Sequence, residues 1–289
     1  MIHQLTIIGV GLIGGSLARA LKQAGAVQEV VGCSRNAGHL QQALALGVID
    51  RFTTDIAEAV QGADMVLLAV PLGAMEPCFR AMAGHLGPDT VITDAGSAKA
   101  SVVAAARAAF GELPPGFVPG HPIAGTEQSG VQASFPELFR QRRVILTPLA
   151  GSAPTAVERV RQMWQETGAF VDEMAVAHHD EVLAATSHLP HLLAYGLVDS
   201  LVAMDDSEEI FRFAAGGFRD FTRIASSDPV VWRDICLANR EALLAVMERY
   251  QRDMEALTEL VRWGDGEALG KIFERAKAAR DRFVDQLEK

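Results

Sequence analysis

The sequence predicts an α/β fold in which an N-terminal, doubly wound and mostly parallel sheet is followed by a C-terminal all-helical domain. In the first half of the chain, short and nearly continuous apolar runs alternate with amphipathic segments, as expected for parallel strands covered by helices on both faces. After residue 173 the β-rich runs stop and helical periodicity takes over. A length of 289 residues also favours two domains, which we place at 1–173 and 174–289.

The predicted strands of the first domain are apolar runs separated by segments with helical spacing, an order that requires right-handed crossovers. A last helix and a short strand close the domain, with one or two antiparallel strands expected at the sheet edge. The predicted strands are Leu5–Val10, Glu29–Ser34, Asp64–Val70, Thr90–Asp94, Arg143–Thr147 and Ala169–Met174, and the predicted helices are Gly14–Ala24, Ala37–Leu46, Gly73–Leu86, Ala98–Phe110 and Pro154–Thr167.

The second domain carries helix start signals at Asp228, before Pro229, and at Asp265, before Gly266. A helix predicted over Asn239–Arg262 places apolar residues at spacings of four and three, which form one continuous seam. The seam is either a core stripe within the chain or a dimer interface, and the pattern alone favours neither. Its residues are Leu243, Met247, Tyr250, Met254, Leu257 and Val261.

Composition narrows the classes of partner. A net charge of −10 argues against binding to nucleic acid or to an anionic membrane surface. The cysteines, Cys33, Cys78 and Cys236, are widely spaced and odd in number, which indicates neither a disulfide framework nor a cysteine metal site. The apolar start has no basic leader, and no apolar run approaches the roughly 20 residues of a membrane span. We expect a soluble, cytoplasmic protein.

A glycine motif after the first predicted strand indicates nucleotide binding. Gly9, Gly11 and Gly14 have the G-x-G-x-x-G spacing and open a predicted helix. The first glycine permits a tight turn, the second lets a pyrophosphate approach the backbone, and the third allows the helix to pack closely. The main chain of Leu12 and Ile13 then offers N–H groups to phosphate. The alternative is a glycine-rich structural turn, but the strand–motif–helix order favours a Rossmann nucleotide-binding domain.

The residues that follow the second strand favour NADP over NAD as the cofactor. About 20 residues after the last motif glycine, an acidic residue normally binds the ribose hydroxyls of NAD. Ser34 and Arg35 stand there instead, and a hydroxyl beside a guanidinium can bind the 2′-phosphate of NADP. Arg35 is alternatively an exposed arginine without a ligand, so use of both cofactors stays open.

Two further segments end predicted strands at the carboxyl edge of the sheet, where open α/β sheets bind ligands. Val70 and Pro71 stand at the end of one strand and are expected to contact the cofactor, while Ser97 and Lys99 follow another. From local sequence, Ser97 is at least as readily explained as a helix cap, with Lys99 solvated in the first helical turn.

A histidine supplies the chemistry that the nucleotide motif lacks. His121 lies in the run Gly120-His121-Pro122-Ile123-Ala124-Gly125, which we predict to be a loop stiffened by proline. A neutral imidazole can accept a hydroxyl proton while the attached carbon gives up hydride. A structural histidine is the alternative.

The helical half contributes two more clusters. Ser187, His188 and His191 surround Pro190, which is expected to kink its helix. The two histidines lack a well-spaced third ligand, so we predict no metal site. Arg219 and Arg223 are one helical turn apart, where they either bind substrate carboxylates or form a solvated face.

Taken together, these motifs closely resemble the prephenate/arogenate dehydrogenase (TyrA-type, cyclohexadienyl dehydrogenase) family, across nearly the whole chain. The segments that carry the resemblance are Gly9–Leu17, Asp94–Lys99, His121–Gly130, Ser187–His191, Gly217–Ala225 and Asp228–Asp234. The resemblance implies oxidative decarboxylation of prephenate to 4-hydroxyphenylpyruvate, or of arogenate to tyrosine, in tyrosine biosynthesis. It also implies a homodimer formed through the helical domain.

The resemblance also implies roles for individual residues. His121 deprotonates the ring hydroxyl of the substrate, and Ser97 orients that hydroxyl and the nicotinamide. Arg223 binds a substrate carboxylate. The residues expected to line the pocket or its entrance are Ser187, His188, His191 and Arg219.

Three questions stay open at this point. The sequence does not separate prephenate from arogenate as the substrate. A β-hydroxyacid-type dehydrogenase shares the same domain order, although it gives His121 no natural role. A non-catalytic NAD(P)-sensing module is the third possibility, although it would need no proton acceptor beside the nicotinamide.

Overall fold

The computed structural model describes residues 1–287 and confirms the predicted fold class. Its main sheet has six strands in the order β3-β2-β1-β4-β5-β6, and every neighbouring pair is parallel. The order reverses between β1 and β4, which opens a crevice at the carboxyl ends of these two strands. The strands are β1 Ile2–Ile8, β2 Val27–Cys33, β3 Arg51–Thr53, β4 Met65–Leu68, β5 Val91–Asp94 and β6 Phe117–Val118.

Helices cover both faces of the main sheet. Successive residues of a strand point to opposite faces, so Leu67 packs into one apolar core and Leu68 into the other. Both residues are fully buried, which explains the nearly continuous apolar runs in the sequence. The helices of this region are α1 Leu12–Gln23, α2 Ala37–Ala45, α3 Ile56–Ala59, α4 Met75–Met82, α5 Lys99–Phe110 and α6 Pro154–Gln165.

The structure corrects one strand assignment. The predicted strand Arg143–Thr147 exists, as β8 Arg143–Leu146, but it belongs to a separate three-stranded sheet with β7 Gly120–Pro122 and β9 Phe170–Glu173. In this second sheet β7 and β8 are antiparallel and β8 and β9 are parallel. The chain leaves the main sheet because Pro119 has no N–H to extend the pairing of β6 with β5, and the Gly120 N–H donates to the Asp94 carboxylate at 3.1 Å.

Sequence patterns did not predict three of the strands, β3, β6 and β7. Each has two or three residues, which is too short to show an alternation of apolar and polar side chains. Strand β7 carries His121, so this histidine lies on a strand and not in the predicted loop.

The second half of the described chain is helical, as predicted. The Asp228 carboxylate accepts the N–H groups of Val230 and Val231, and the Asp265 carboxylate accepts that of Ala268, so both predicted start signals act as caps. The expected irregularity at Pro190 is a π-helical turn, Ala184–His188, that ends just before α8. The helices are α7 Val176–Leu183, α8 Leu189–Val202, α9 Ser207–Arg212, α10 Gly216–Thr222, α11 Pro229–Ala238, α12 Arg240–Trp263 and α13 Gly266–Leu287.

Contacts between residues divide the chain into two compact units, Met1–Ala242 and Leu243–Lys289. The helical residues 174–242 therefore belong to the same unit as the sheets, because α7 packs on α5. Within residues 1–287, no helix is long and apolar enough to cross a membrane.

Candidate active site

The glycine motif forms a tight turn between β1 and α1. Gly9 has a φ of +97°, and a Cβ atom there would lie 2.3 Å from the carbonyl oxygen of Ala69. A Cβ at Gly14 would lie 2.4 Å from the Gly9 carbonyl oxygen, whereas a Cβ at Gly11 would meet nothing within 4 Å. Gly9 and Gly14 are therefore required by the fold, and Gly11 leaves open space above the turn.

The same turn leaves the first N–H groups of α1 available. Gly11 is the N-cap residue, and no side chain caps this helix. Leu12 and Ile13 begin the helix, so their N–H groups point out of its positive end. Across the crevice, Val70 lies against Gly9, and Pro71 precedes a short 3₁₀-helix. These residues fit the pyrophosphate of a dinucleotide.

An open groove of about 720 Å³ lies at the carboxyl end of β2, and Ser34 and Arg35 line it. The Ser34 hydroxyl lies 3.3 Å from both the N–H and the carbonyl oxygen of Asn36. The Asn36 side chain accepts the N–H of His39 and caps α2. Arg35 is exposed.

His121 is the first member of a buried chain of hydrogen-bonded side chains. Its Nδ1 lies 2.9 Å from Nε2 of His179, and Nδ1 of His179 lies 2.8 Å from a carboxylate oxygen of Asp180. His121 is 8% exposed and His179 is completely buried. Because His121 is on β7 and the other two residues are on α7, the helical half of the chain completes the site.

Asp180 and Lys99 connect this chain to the carboxyl edge of β5. The Asp180 carboxylate accepts the main-chain N–H groups of Lys99 and Ala100 at 2.7 and 2.9 Å, so it caps α5 from a different helix. The Lys99 ammonium is fully buried, pairs with Asp94 and donates to the Gly120 carbonyl oxygen at 2.6 Å. The alternative of a Ser97 cap with a solvated Lys99 is therefore wrong, because Asp180 caps the helix and Asp94 neutralises the lysine.

Burial sets the protonation states in this cluster. It lowers the pKa of His121 well below the usual 6.5, and the neighbouring His179, Lys99 and His188 lower it further. Burial raises the pKa of Asp180, but the hydrogen bonds from His179 and from the main-chain N–H groups of Lys99 and Ala100 outweigh it, and the net shift is downward. At neutral pH the site therefore holds a neutral His121 beside an ionised Asp180.

His188 is the third buried imidazole of this site. Its Nδ1 lies 3.0 Å from the Asn239 amide nitrogen, which also donates to the Asp180 carbonyl oxygen at 2.8 Å. Because an amide nitrogen donates, Nδ1 of His188 accepts and its Nε2 carries the hydrogen. That Nε2 is buried and has no hydrogen-bond partner among the described residues, although the Ser97 main chain lies beside the ring.

The other predicted residues of the first helical cluster lie near the same helix turn. Nδ1 of His191 donates to the Ser187 carbonyl oxygen at 2.9 Å, and the His191 ring stacks on Trp232 with 3.4 Å between centroids. Ser187 is half-buried. Among residues 1–287, no group of three or more histidine, cysteine or acidic side chains is arranged to hold a metal ion.

The structure separates the two predicted arginines. Arg223 begins a 3₁₀-helix and forms an ion pair with Glu127, which follows the His121 strand. Arg219 lies on α10, its side chain is 82% exposed, and its ion pair is with the adjacent Asp220. Arg223 is therefore connected to the His121 side of the site, whereas Arg219 faces solvent.

Motif analysis did not single out three residues of the cluster, His179, Asp180 and Asn239. A signal existed for two of them, because His179 and Asp180 are adjacent in the sequence and lie on one amphipathic helix, α7. A histidine followed by an acid is common in helices, so only the tertiary contacts give the pair its meaning.

Comparison with known proteins identifies the family. The protein-family model described as "Prephenate dehydrogenase, nucleotide-binding domain" matches residues 17–173, and the family model described as "Prephenate dehydrogenase, dimerization domain" matches residues 175–275. The chain belongs to the prephenate dehydrogenase family. This confirms the resemblance seen in the sequence, and it makes the protein an NAD(P)-dependent dehydrogenase. The β-hydroxyacid dehydrogenase and NAD(P)-sensor alternatives are thereby set aside.

Individual relatives match over nearly the full length. The cyclohexadienyl dehydrogenase of Zymomonas mobilis is 41% identical over 279 residues, which are 96% of this chain and 94% of that protein. The prephenate dehydrogenase of Aquifex aeolicus, solved with hydroxyphenyl propionate and NAD⁺, is 35% identical with a TM-score of 0.91 and covers 98% of this chain and 99% of its own. Synechocystis arogenate dehydrogenase is 26% identical, has a TM-score of 0.81 and covers 97% of this chain and 99% of its own.

Proposed function

We propose that this enzyme oxidatively decarboxylates prephenate to 4-hydroxyphenylpyruvate, arogenate to tyrosine, or both, in tyrosine biosynthesis. The observation that carries the proposal is the neutral, buried His121, whose strand adjoins the carboxyl end of β5, in the same compact unit as the glycine turn and its open helix start. A hydroxyl proton acceptor near a nicotinamide site is what an alcohol-oxidising step requires.

The reaction balances with the groups present. Bound NAD(P)⁺ supplies the hydride acceptor for the hydrogen on C4 of the substrate ring. His121 accepts the C4 hydroxyl proton, the ring carboxylate leaves as carbon dioxide, and the electron pair of the broken carbon–carbon bond completes the aromatic ring. The proton then returns from His121 to the phenolate oxygen, so the imidazole is neutral again for the next turnover. Ser97, half-buried after β5, orients the hydroxyl and the nicotinamide.

Arg223 supports binding of an anionic substrate. Its guanidinium is paired with the Glu127 carboxylate, and a substrate carboxylate offers the same acceptor geometry. The unpartnered N–H of His188 is a second donor beside Ser97. Ser187, His191 and the more exposed Arg219 are proposed to line the pocket or its entrance.

For the cofactor, we propose a preference for NADP. The Ser34 hydroxyl and the exposed Arg35 line the groove after β2, and neither repels a 2′-phosphate. The glycine turn fits the pyrophosphate of NAD and NADP equally, so any preference must come from this groove.

We also propose a homodimer formed through α12. Within Leu243–Lys289, the apolar seam of this helix leaves Tyr250 36%, Met254 41% and Val261 67% exposed. Exposed apolar residues in one row are typical of an interface. Light scattering should give twice the chain mass, and Met254→Glu should lower it, whereas a monomeric wild-type protein would contradict the proposal.

The test of the reaction is the formation of reduced nicotinamide with prephenate or arogenate, each against NAD⁺ or NADP⁺. We expect turnover in at least one combination, with carbon dioxide released in equal amount to reduced cofactor. Folded protein that binds nucleotide but turns over neither substrate would contradict the proposed reaction.

A further inference from the structure

We propose that His179 and Asp180 are positioning residues that hold His121 in the one tautomer that can accept the substrate proton. The inference rests on the proposed function, since it concerns how His121 is prepared for that step. It follows from the hydrogen bonds of the buried cluster, in which each group determines the donor or acceptor role of the next.

The order starts at Asp180 because a carboxylate can only accept. Its oxygens accept the N–H groups of Lys99 and Ala100, the first two residues of α5. These contacts and the positive end of the helix favour the ionised form. Nδ1 of His179 lies 2.8 Å from an Asp180 carboxylate oxygen, so the hydrogen of this bond must be on Nδ1.

The same reasoning fixes both imidazoles. An imidazole whose hydrogen is on Nδ1 has a lone pair on Nε2, so Nε2 of His179 accepts across 2.9 Å from Nδ1 of His121. His121 then carries its hydrogen on Nδ1, and its Nε2 is left with a lone pair. The opposite tautomer would set the lone pairs of His121 Nδ1 and His179 Nε2 against each other.

Burial makes each donor and acceptor in this chain of hydrogen bonds depend on its protein partner. His179 is completely buried and His121 is 8% exposed, so water cannot readily replace a lost partner. The main chain of the His121 strand is held independently, by the Lys99 ammonium on the Gly120 carbonyl oxygen and the Asp94 carboxylate on the Gly120 N–H. Loss of His179 should therefore change the state of the His121 ring more than the course of its strand.

Three variants separate positioning from general structural support. In His179→Gln, the amide can still accept from His121 and donate to Asp180, whereas in His179→Leu both hydrogen bonds are lost. We expect His179→Leu to lower kcat by about 10²-fold or more, with the KM and the Kd of NADP nearly unchanged. His179→Gln should keep at least about ten times more of kcat than His179→Leu. The neighbouring His178, whose side chain is 62% exposed, provides the matched control His178→Gln, which should behave as wild type.

The tautomer itself can be read by ¹⁵N NMR of the full-length enzyme, with the His121 signals assigned by their loss in His121→Asn. We expect hydrogen on Nδ1 and a bare Nε2 in wild type and in His179→Gln, and a mixture of tautomers in His179→Leu. Hydrogen on Nε2 of His121 in wild type, or equal kcat in the Leu and Gln variants, would overturn the inference. Because NMR needs no turnover, this outcome is distinguishable from failure of the proposed reaction.

Discussion

The nucleotide turn, Gly9–Gly14, and the buried histidine cluster of His121, His179 and Asp180 are built in different ways, although each lies beside the carboxyl end of a strand of the main sheet. The turn is made by residues close in sequence, since Gly14 contacts Gly9 directly and only the β4 end at Ala69 is distant. The cluster joins β7 and α7, and the hydrogen bond from His121 to His179 spans 58 residues.

The difference also appears in electrostatics. The turn uses main-chain N–H groups and open space, so it carries no buried charge of its own. The cluster buries an ammonium, two carboxylates and three imidazoles, and each depends on a partner from another element. Substitutions in the cluster should therefore have larger and more coupled effects than substitutions at the nucleotide groove.

The largest expected effect is on turnover. His121→Asn removes the proposed proton acceptor but keeps a side chain that can hydrogen-bond, so we expect kcat to fall by about 10²- to 10⁴-fold. The Kd of NADP should not change, because the nucleotide turn lies on β1 and α1. Steady-state kinetics and a nucleotide titration check both statements, and near-normal turnover would remove His121 from the mechanism.

The next effect is on stability. Lys99→Met leaves the Asp94 carboxylate buried without its cation, and breaking such a pair should lower the free energy of unfolding by about 3–5 kcal/mol. Lys22→Met breaks the ion pair of Lys22 with Asp50, in which the lysine side chain is 27% and the aspartate side chain 42% exposed. This substitution should lower the free energy of unfolding by under about 1 kcal/mol. Urea unfolding compares the two variants, and equal losses would contradict the contrast between buried and exposed pairs.

The contrast between contacts close in sequence and contacts made only by the fold explains which features the sequence could predict. Gly9 and Gly14 were recognisable because their spacing reflects contacts within one turn. Lys99 was not, since a lysine in the first turn of a helix is normally solvated and its partner Asp94 is revealed only by the fold. The run Arg143–Thr147 was recognisable as a strand, but an apolar run does not specify which sheet it joins.

The site of the proposed proton acceptor also contains residues that the sequence could indicate and residues that it could not. His121 could be singled out from its glycine- and proline-rich surroundings and from the family resemblance. The residues that prepare it, His179 and Asp180, have no motif of their own. Their role depends on the packing of α7 against α5, which sequence periodicity does not encode.

A smaller effect is expected at the nucleotide groove. Arg35→Ala removes the guanidinium proposed to bind the 2′-phosphate, so the Kd of NADP should rise about 10- to 100-fold while that of NAD stays the same. Arg107→Ala, at an exposed position on α5, is the matched control and should change neither. If Arg35→Ala weakened both cofactors equally, the arginine would serve general binding and not the choice between NADP and NAD.

The smallest effect concerns the pH dependence of stability. Burial lowers the pKa of His188 to about 4 in the folded protein, whereas an unfolded histidine titrates near 6.5. Between these values the unfolded chain binds a proton that the native protein does not, so His188 makes stability fall as pH falls from 6.5 toward 4. One proton corresponds to about 1.4 kcal/mol per pH unit at most.

Replacing His188 should therefore make the enzyme's stability less sensitive to acid. In His188→Gln, the amide oxygen can still accept from Asn239, but no group titrates at that position. Free energies of unfolding between pH 6 and pH 4.5 should show a shallower slope than in wild type. His85→Gln, at an exposed histidine, should leave the wild-type slope unchanged. Equal slopes in wild type and His188→Gln would mean that His188 is protonated in the native cluster, and its Nε2–H would then belong to an imidazolium and not to a neutral donor.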